Sequence, residues 1–390
     1  MTLDELIGPL QGRLGVLERT GDQRVTIADV TDDSRRVKPG SLFVAVKGER
    51  VDGHDFLESV LQKNVAAVVV QRQVAVGSVP AVRVKDSRAA LGILGGRFLG
   101  DPSARLRLIG VTGTNGKTTT TYVVKTLLEA VGRRVGLIGT VAYLVGSETI
   151  PASHTTPGAL ELQGLFANMV RAGLDSTVME VSSHALALDR TAGAEFDVAV
   201  FTNLTQDHLD FHGDMETYFR AKRRLFAELG HPGVKQSSKR AVINVDNPYG
   251  ARMREACEAP VWTYGLRSKA DLCAERVRLS AGGTTFTLCT PAGNCEIQSR
   301  LVGEHNVYNL LASIGAVLHE GLTLEQIRTA VGKVTNVPGR FERVEAGQDF
   351  TVVVDYAHTE DALVRLLTAA QALRPNASTA AFTAAATSDD

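Results

Sequence analysis

Residues 110–120 read GVTGTNGKTTT. A phosphate cradle needs glycines that let backbone N–H groups converge, a lysine for charge, a hydroxyl for a metal ion and a helix start behind them. GTNGKTT supplies each of these. The apolar run LRLIGV leads into the loop and an amphipathic pattern over residues 117–131 leaves it, which is the strand–loop–helix setting in which such a loop binds a nucleotide. The usual Gly-x-x-x-x-Gly-Lys-Thr template asks for glycine at 111, where this chain has Val111, so the loop is a variant.

Outward from the loop, LRLIGVTG, VGLIGT, STVMEVSS, FDVAVFTNL and RAVINVD are nearly continuous in apolar residues and alternate with helical stretches. That wording suits parallel strands covered on both faces, and it predicts an α/β fold with a central parallel sheet of the P-loop ATPase type. Residues 270–300 alternate in polarity around Gly282-Gly283, predicting an antiparallel hairpin appended to that sheet. A helix is expected after His305. Upstream, SLFVAVKG, AAVVV and AVRV alternate with helical stretches at 56–63 and 87–99, a second α/β unit. GDPSARL, with Gly100 and Pro102, and NVPGRFE, with Pro338 and Gly339, punctuate the chain. They predict domains at 1–102, 103–336 and 337–390. The last holds one strand, FTVVVDYAH, one helix over 360–373 and an Ala/Thr/Ser-rich ending over 376–390, too little to close a core, and reads as an incomplete domain. A strand TVVVDYAH without sheet neighbours is expected to favour aggregation.

With 42 basic and 43 acidic residues among 390, the net charge of −1 supplies no global field toward nucleic acid or an anionic bilayer. No apolar run approaches the roughly 18 residues of a membrane span. The opening MTLDELIGPLQGRLGVLERT reads as a short amphipathic helix without the basic end and apolar core of a signal peptide, so a soluble, cytoplasmic protein is expected. Cys257, Cys273, Cys289 and Cys295 are too few and too irregular for a disulfide framework and are expected as reduced, packed thiols.

Glu180 and His208 follow two successive core strands, where ligands of open α/β sheets bind. Asp207, Asp210 and His212 crowd the same loop, and sequence does not separate them. At 100° per residue, Met215, Tyr218, Lys222, Leu225, Phe226 and Leu229 share one stripe while Arg220, Arg223 and Arg224 point roughly the other way. A lysine in an apolar stripe either snorkels outward or is neutralised or modified; helical phase alone favours the first.

TGTNGKTTTT, DDSRRVKPGSLFVAVKG, HTTP, MEVSSHAL, FTNLTQDHLDFHGDMETYFRAKRRLF, GEHNVYNLLAS, GRFE and VVVDYAH, in this order, resemble the Mur ligase family over residues 25 to about 375. Within the family they are most similar to the members that add a diamino acid to UDP-N-acetylmuramoyl-L-alanyl-D-glutamate. The resemblance implies a UDP-sugar-binding N-terminal domain, a central ATP-binding domain and a Rossmann-like C-terminal domain. It also implies a cytoplasmic, monomeric ATP-dependent ligase of peptidoglycan precursor synthesis, acting through an acyl phosphate. Its small-molecule partners would be ATP, UDP-MurNAc-dipeptide and a diamino acid such as meso-diaminopimelate or L-lysine, with Mg2+ as cofactor. Gly113, Thr114, Asn115, Gly116, Lys117, Thr118 and Thr119, with Asn306, Asn309, Arg340 and Asp355, would bind ATP. Thr118, Glu180, His208 and Lys222 would hold the metal, Lys222 as a carbamate formed with carbon dioxide, and Lys117, Lys222 and His208 would be catalytic. Ser34 and Arg35 would contact the uridine diphosphate, and Thr155, Thr156, Ser182 and Arg190 the muramoyl-dipeptide end.

The chain departs from the family at His154 and Leu188, where some members carry Asn and Gln, and it lacks the GCGGDRD and DNPR segments of the C-terminal domain. A chain impaired in ligation, or a nucleotide- and UDP-sugar-binding remnant, is therefore an expectation to set beside the ligase. Folylpolyglutamate synthetase shares the loop, but there it lies near the start of the chain.

Overall fold

The computed structural model describes residues 1–48, 51–231, 233–280, 282–335, 337–344, 346–348, 352–357 and 360–373. The ending at 376–390, and Phe350, Thr351 and His358 of FTVVVDYAH, lie outside the described residues. The short β-branched runs of the N-terminal region become β1 (Val16–Thr20), β2 (Asp29–Thr31), β3 (Ser41–Val44), β4 (Ala67–Val70) and β5 (Ala81–Val84), in the order β1-β5-β4-β3-β2. β2 to β5 are parallel and β1 is an antiparallel edge. Strand alternation sends Leu42, Val44, Val69 and Val82 to one core and Phe43, Val68 and Val70 to the other, which is why β3 and β4 are apolar throughout. The helix read at 56–63 is shorter, a 3-10 turn over Gly53–Phe56 followed by Leu57–Leu61. The helix Ser87–Phe98 meets the central region through Gly92, where an added Cβ would strike the Ala192 carbonyl.

Eleven strands form the central sheet among the described residues. They are β6 (Arg107–Thr112), β7 (Val135–Ile138), β8 (Ala142–Val145), β9 (Glu148–Pro151), β10 (Ser176–Glu180), β11 (Val198–Phe201), β12 (Arg240–Asn244), β13 (Val261–Gly265), β14 (Leu272–Ser280), β15 (Gly283–Thr290) and β16 (Gly293–Ser299). Their order is β16-β15-β14-β13-β12-β11-β6-β10-β7-β8-β9. β6 lies between β10 and β11, parallel to both, so the chain switches sides of the sheet at the strand that feeds the glycine loop. Two apolar layers clamp it: Ile109, Val111, Val178 and Val200 face one, Leu108, Met179, Ala199 and Phe201 the other. A one-residue slip would exchange the layers, so the burial, worth about 1.5–3 kcal/mol for each large side chain, also fixes the register.

Three edges differ from expectation. The appended hairpin is a three-stranded meander, because the chain reverses again between Thr290 and Gly293 and β16 pairs along β15; β14 also joins β13 in parallel. A second antiparallel hairpin, β8–β9, turning at Gly146 with φ +63°, closes the opposite edge and was not anticipated. The C-terminal strand is not alone: β17 (Glu342–Val344), from the GRFE segment, pairs antiparallel with β18 (Val352–Val354). The helix Glu360–Leu373 follows, and Val302, Phe341 and Ala369 form a small core there with Val353 and Leu366. None of the helices among the described residues is long and apolar enough to cross a membrane.

Candidate functional site

Val111, where the usual template has glycine, is a fully buried residue inside β6, and the cradle opens two residues later at Gly113. Added Cβ atoms would strike the Thr202 hydroxyl at Gly113 and the Asn309 amide oxygen at Gly116, which has φ +88°. Neighbouring segments thus approach the loop so closely that only glycine fits. The end of β11 pins it. Asn203 accepts from Asn115 N–H at 2.9 Å and donates to the Asn115 carbonyl at 3.0 Å, and the Thr202 hydroxyl donates to the same carbonyl at 2.7 Å. The helix Lys117–Glu129 starts without a side-chain cap, so its first N–H groups remain available to an anion. Lys117 folds back to donate to the Gly113 and Thr114 carbonyls at 3.0 and 2.8 Å. Burial lowers its pKa from the ordinary lysine value, against the pull of Glu180.

Glu180 ends β10 and is 1% exposed. Thr140 orients it, donating from its N–H at 3.0 Å and from its hydroxyl at 3.2 Å to the two carboxylate oxygens. His208 sits in the left-handed region at φ 52°, exposed, with Nε2 3.4 Å from Asp207 Oδ2 and its ring 4.8 Å from that of His184. Desolvation lowers its pKa despite Asp207, so the ring is neutral near pH 7 and able to ligate. The structure separates the neighbours that sequence could not. Asp207 lines the cavity beside His208. His212 is buried with Nε2 2.9 Å from the Ser183 hydroxyl, and burial pushes its pKa down to about 4. Asp210 is exposed.

Lys222 does not snorkel. On the helix Met215–Ala227 it is 1% exposed, donates to the Gly113 carbonyl at 2.9 Å and lies 4.6 Å from the Tyr218 ring centroid. The stripe wins because the glycine loop itself roofs the lysine and supplies the acceptor. Burial, reinforced by the charge of Lys117, drives its pKa well below the ordinary value. Of the arginines opposite, Arg224 turns back to Asp189 at 2.5 Å, while Arg220 pairs with Glu216 along the helix.

A cavity of about 780 Å³ opens at the carboxyl ends of these strands. It gathers Thr114, Asn115, Gly116, Lys117, Thr118 and Thr119, then Glu180 and His208, then Asn306, Asn309, Arg340 and Asp355, with Thr155 and Ser182 on its wall. Asn309 donates to Asn306 at 3.0 Å, Asn306 donates to the Val302 carbonyl at 2.8 Å, and Arg340 donates to the Thr118 hydroxyl at 3.1 Å. Asp355 accepts from Phe341 N–H at 2.6 Å, tying β18 to the turn that carries Arg340. Two expected substrate contacts make backbone hydrogen bonds near Glu180. Thr156 is fully buried and donates to the Glu180 carbonyl at 2.8 Å, and Arg190 donates to the Thr156 carbonyl at 3.1 Å. They brace the Glu180 turn because a buried hydroxyl takes the nearest acceptor. Ser182 caps the helix Ser183–Ala187. His154 is exposed and Leu188 half-buried. Ser34 and Arg35 stay apart from the cavity, in the turn after β2: the Ser34 carbonyl accepts from Lys63 at 2.7 Å, and Arg35 is exposed and paired with Asp33 at 2.9 Å. Gly113 and Lys222 lie behind the cavity wall. Sequence reasoning missed Thr140, Thr202 and Asn203, whose roles arise from strands adjacent only in space.

The donor set fits a hard divalent cation bound with phosphate: a carboxylate whose oxygens are already oriented, a second acid at Asp207, the Thr118 hydroxyl and a neutral imidazole. A family model described as Mur ligase middle domain matches residues 111–317, and one described as Mur ligase family, catalytic domain, matches residues 26–98. The UDP-N-acetylmuramoyl-L-alanyl-D-glutamate–2,6-diaminopimelate ligase of Geobacillus kaustophilus (strain HTA426) is 51% identical over 335 residues, 86% of this chain and 68% of that protein. A solved structure of a ligase of the same name superposes with a TM-score of 0.81 at 30% identity, covering 96% of this chain and 74% of that one. Mycobacterium tuberculosis folylpolyglutamate synthase complexed with ADP and AMPPCP shares the fold, with a TM-score of 0.59 at 22% identity over 73% of this chain and 70% of that one.

Proposed function

The chain belongs to the Mur ligase family, and on that premise we propose that it is the ATP-dependent ligase joining meso-diaminopimelate to UDP-N-acetylmuramoyl-L-alanyl-D-glutamate. Two ions do not condense to an amide unaided. A D-glutamyl carboxylate oxygen therefore attacks the γ-phosphorus of ATP and expels ADP; the amine then displaces phosphate from the acyl phosphate and loses a proton. The observation that carries this reading is the single cavity in which Lys117, Glu180, His208, Asn309, Arg340 and Asp355 converge from separate segments.

In this reading the N–H groups of Gly116 to Thr119 and the Lys117 ammonium hold the β- and γ-phosphates, and Lys117 exchanges its two backbone acceptors for phosphate oxygens. Thr118, Glu180 and His208 hold Mg2+, which when bound neutralises charge on the transferring phosphoryl group. Burial disfavours the charged form of Lys222 and so favours an amine able to add to carbon dioxide; loss of a proton then leaves a carbamate, an anion behind the loop. Asn306 and Asn309 contact the adenine end and Asp355 the ribose. Thr155 and Ser182 face the muramoyl-dipeptide, and Ser34 and Arg35 the uridine diphosphate. The proposed division is a UDP-sugar domain at 1–102, an ATP domain at 103–336 and a C-terminal unit from 337. Calorimetry with ATP and Mg2+, together with mass analysis of the UDP-linked product, tests the reading. A folded chain that takes up no nucleotide would end it.

A further inference from the structure

The meander β14–β16 carries a cluster for which ligation has no use. Its core-facing residues are Leu272, Ala274, Phe286, Leu288 and Ile297, and Cys295 and Cys257 pack against the two central layers as small apolar groups. Cys273 and Cys289 do not share that position. They belong to the alternate face, where the register builds two neighbouring rows across three strands: Cys273–Cys289–Asn294 and Glu275–Thr287–Glu296. Sγ of Cys273, Sγ of Cys289 and a carboxylate oxygen of Glu275 lie within 4.8 Å of one another. A bulge holds the rows together. The register shifts between Glu275 and Arg278, and Arg276, at φ 52°, donates to the Thr287 hydroxyl at 3.2 Å, which donates to Glu296 at 2.8 Å. Both thiols are half-buried and Glu275 is exposed, so an ion and its water can enter.

We propose that Cys273, Cys289 and Glu275 bind one thiophilic divalent cation of the zinc type, with the fourth position open to water, as a brace between β14 and β15. Tetrahedral zinc with bonds of about 2.3 Å to sulfur and 2.0–2.2 Å to oxygen keeps its ligand atoms roughly 3.5–4 Å apart, a spacing that ligand atoms within 4.8 Å of one another can reach. Two sulfurs select against magnesium, which takes oxygen, so this site and the phosphate cavity sort different ions. A disulfide fits less well, since directly opposed residues keep their Cβ atoms about 4.5–5.5 Å apart and a disulfide prefers about 3.8 Å. Thiols are protonated near pH 7, so the cation must displace protons: M2+ plus two thiols gives the dithiolate complex and two protons.

The test is a titration of the reduced, metal-stripped full chain with Co2+, whose thiolate complexes absorb in the near ultraviolet while oxygen-bound Co2+ in the phosphate cavity does not. One equivalent should develop the band, release about two protons and be displaced by Zn2+. The Cys257→Ser/Cys295→Ser chain should keep the band, Cys273→Ser and Cys289→Ser should each lose it, and Glu275→Gln should weaken binding about 10- to 100-fold. ATP binding and circular dichroism, unchanged in all of them, exclude misfolding as the cause. Absence of the band in the unaltered chain, or its persistence without Cys273, overturns the proposal.

Discussion

The two ends of the central sheet treat buried charge in opposite ways. At the amino ends, Asp197 is fully buried and saturated. It accepts from Leu108 N–H at 2.7 Å, Arg107 at 3.0 Å, Lys235 at 2.6 Å and the Ser237 hydroxyl, while Arg107 also reaches Glu320 at 2.6 Å. At the carboxyl ends, Lys222 and Lys117 both donate to the Gly113 carbonyl, with no carboxylate among their hydrogen-bond partners in the described residues. A paired charge inside a protein closes a structure, whereas lysines gathered on a carbonyl, their charged form disfavoured by burial, are held for a partner that arrives later. The fold keeps its lock and its workplace at opposite ends of the same strands.

If that contrast is right, the largest effect comes from breaking the lock. Asp197→Ala leaves Lys235 without its carboxylate and the Leu108 N–H without its acceptor, while Arg107 keeps Glu320, and should destabilise by about 3–5 kcal/mol in urea unfolding, with ATP affinity of the folded fraction unchanged. Lys117→Ala should do the reverse: nucleotide affinity falls by about 1.5–3 kcal/mol in calorimetry while stability stays within about 0.5 kcal/mol. Lys222→Met sharpens the comparison further. The Gly113 carbonyl keeps Lys117 as donor, so stability should be unchanged or rise by up to about 2 kcal/mol as ligation is lost. A large destabilisation would show that Lys222 is a structural group. The smallest effect concerns Asp246, a saturated acid at the carboxyl ends. Burial pushes its carboxyl up, but Ser268, Arg267, Leu266 and the Tyr308 hydroxyl outweigh it and hold the pKa at about 2. A depressed carboxylate stabilises above its ordinary pKa of about 3.9, and that share is lost as pH falls toward 2. Asp246→Asn should flatten the stability profile in that window alone.

Much of the site was legible because its signals are local. The Gly-Lys-Thr triplet, its flanking strand and helix, and Glu180 and His208 after apolar strands all lie within a few residues of the element that presents them. The same locality explains the misses. Thr140 acts on Glu180 across forty positions and Asn203 on Asn115 across eighty-eight, and nothing beside either residue in the chain announces this. The turn at Gly282-Gly283 was read and the reversal at Thr290–Gly293 was not, so a meander became a hairpin.

The succession of strands and helices along the chain and the glycine loop were written in the sequence, because periodicity and loop residues act through the backbone next to them, and the kind of chemistry followed from motifs that resemble a known family. Which charges stand paired and which wait, that Lys222 is roofed rather than exposed, and that two cysteines face each other across paired strands were decided only when distant segments packed. Burial and the supply of partners are properties of a neighbourhood in space, and the chain order does not contain them.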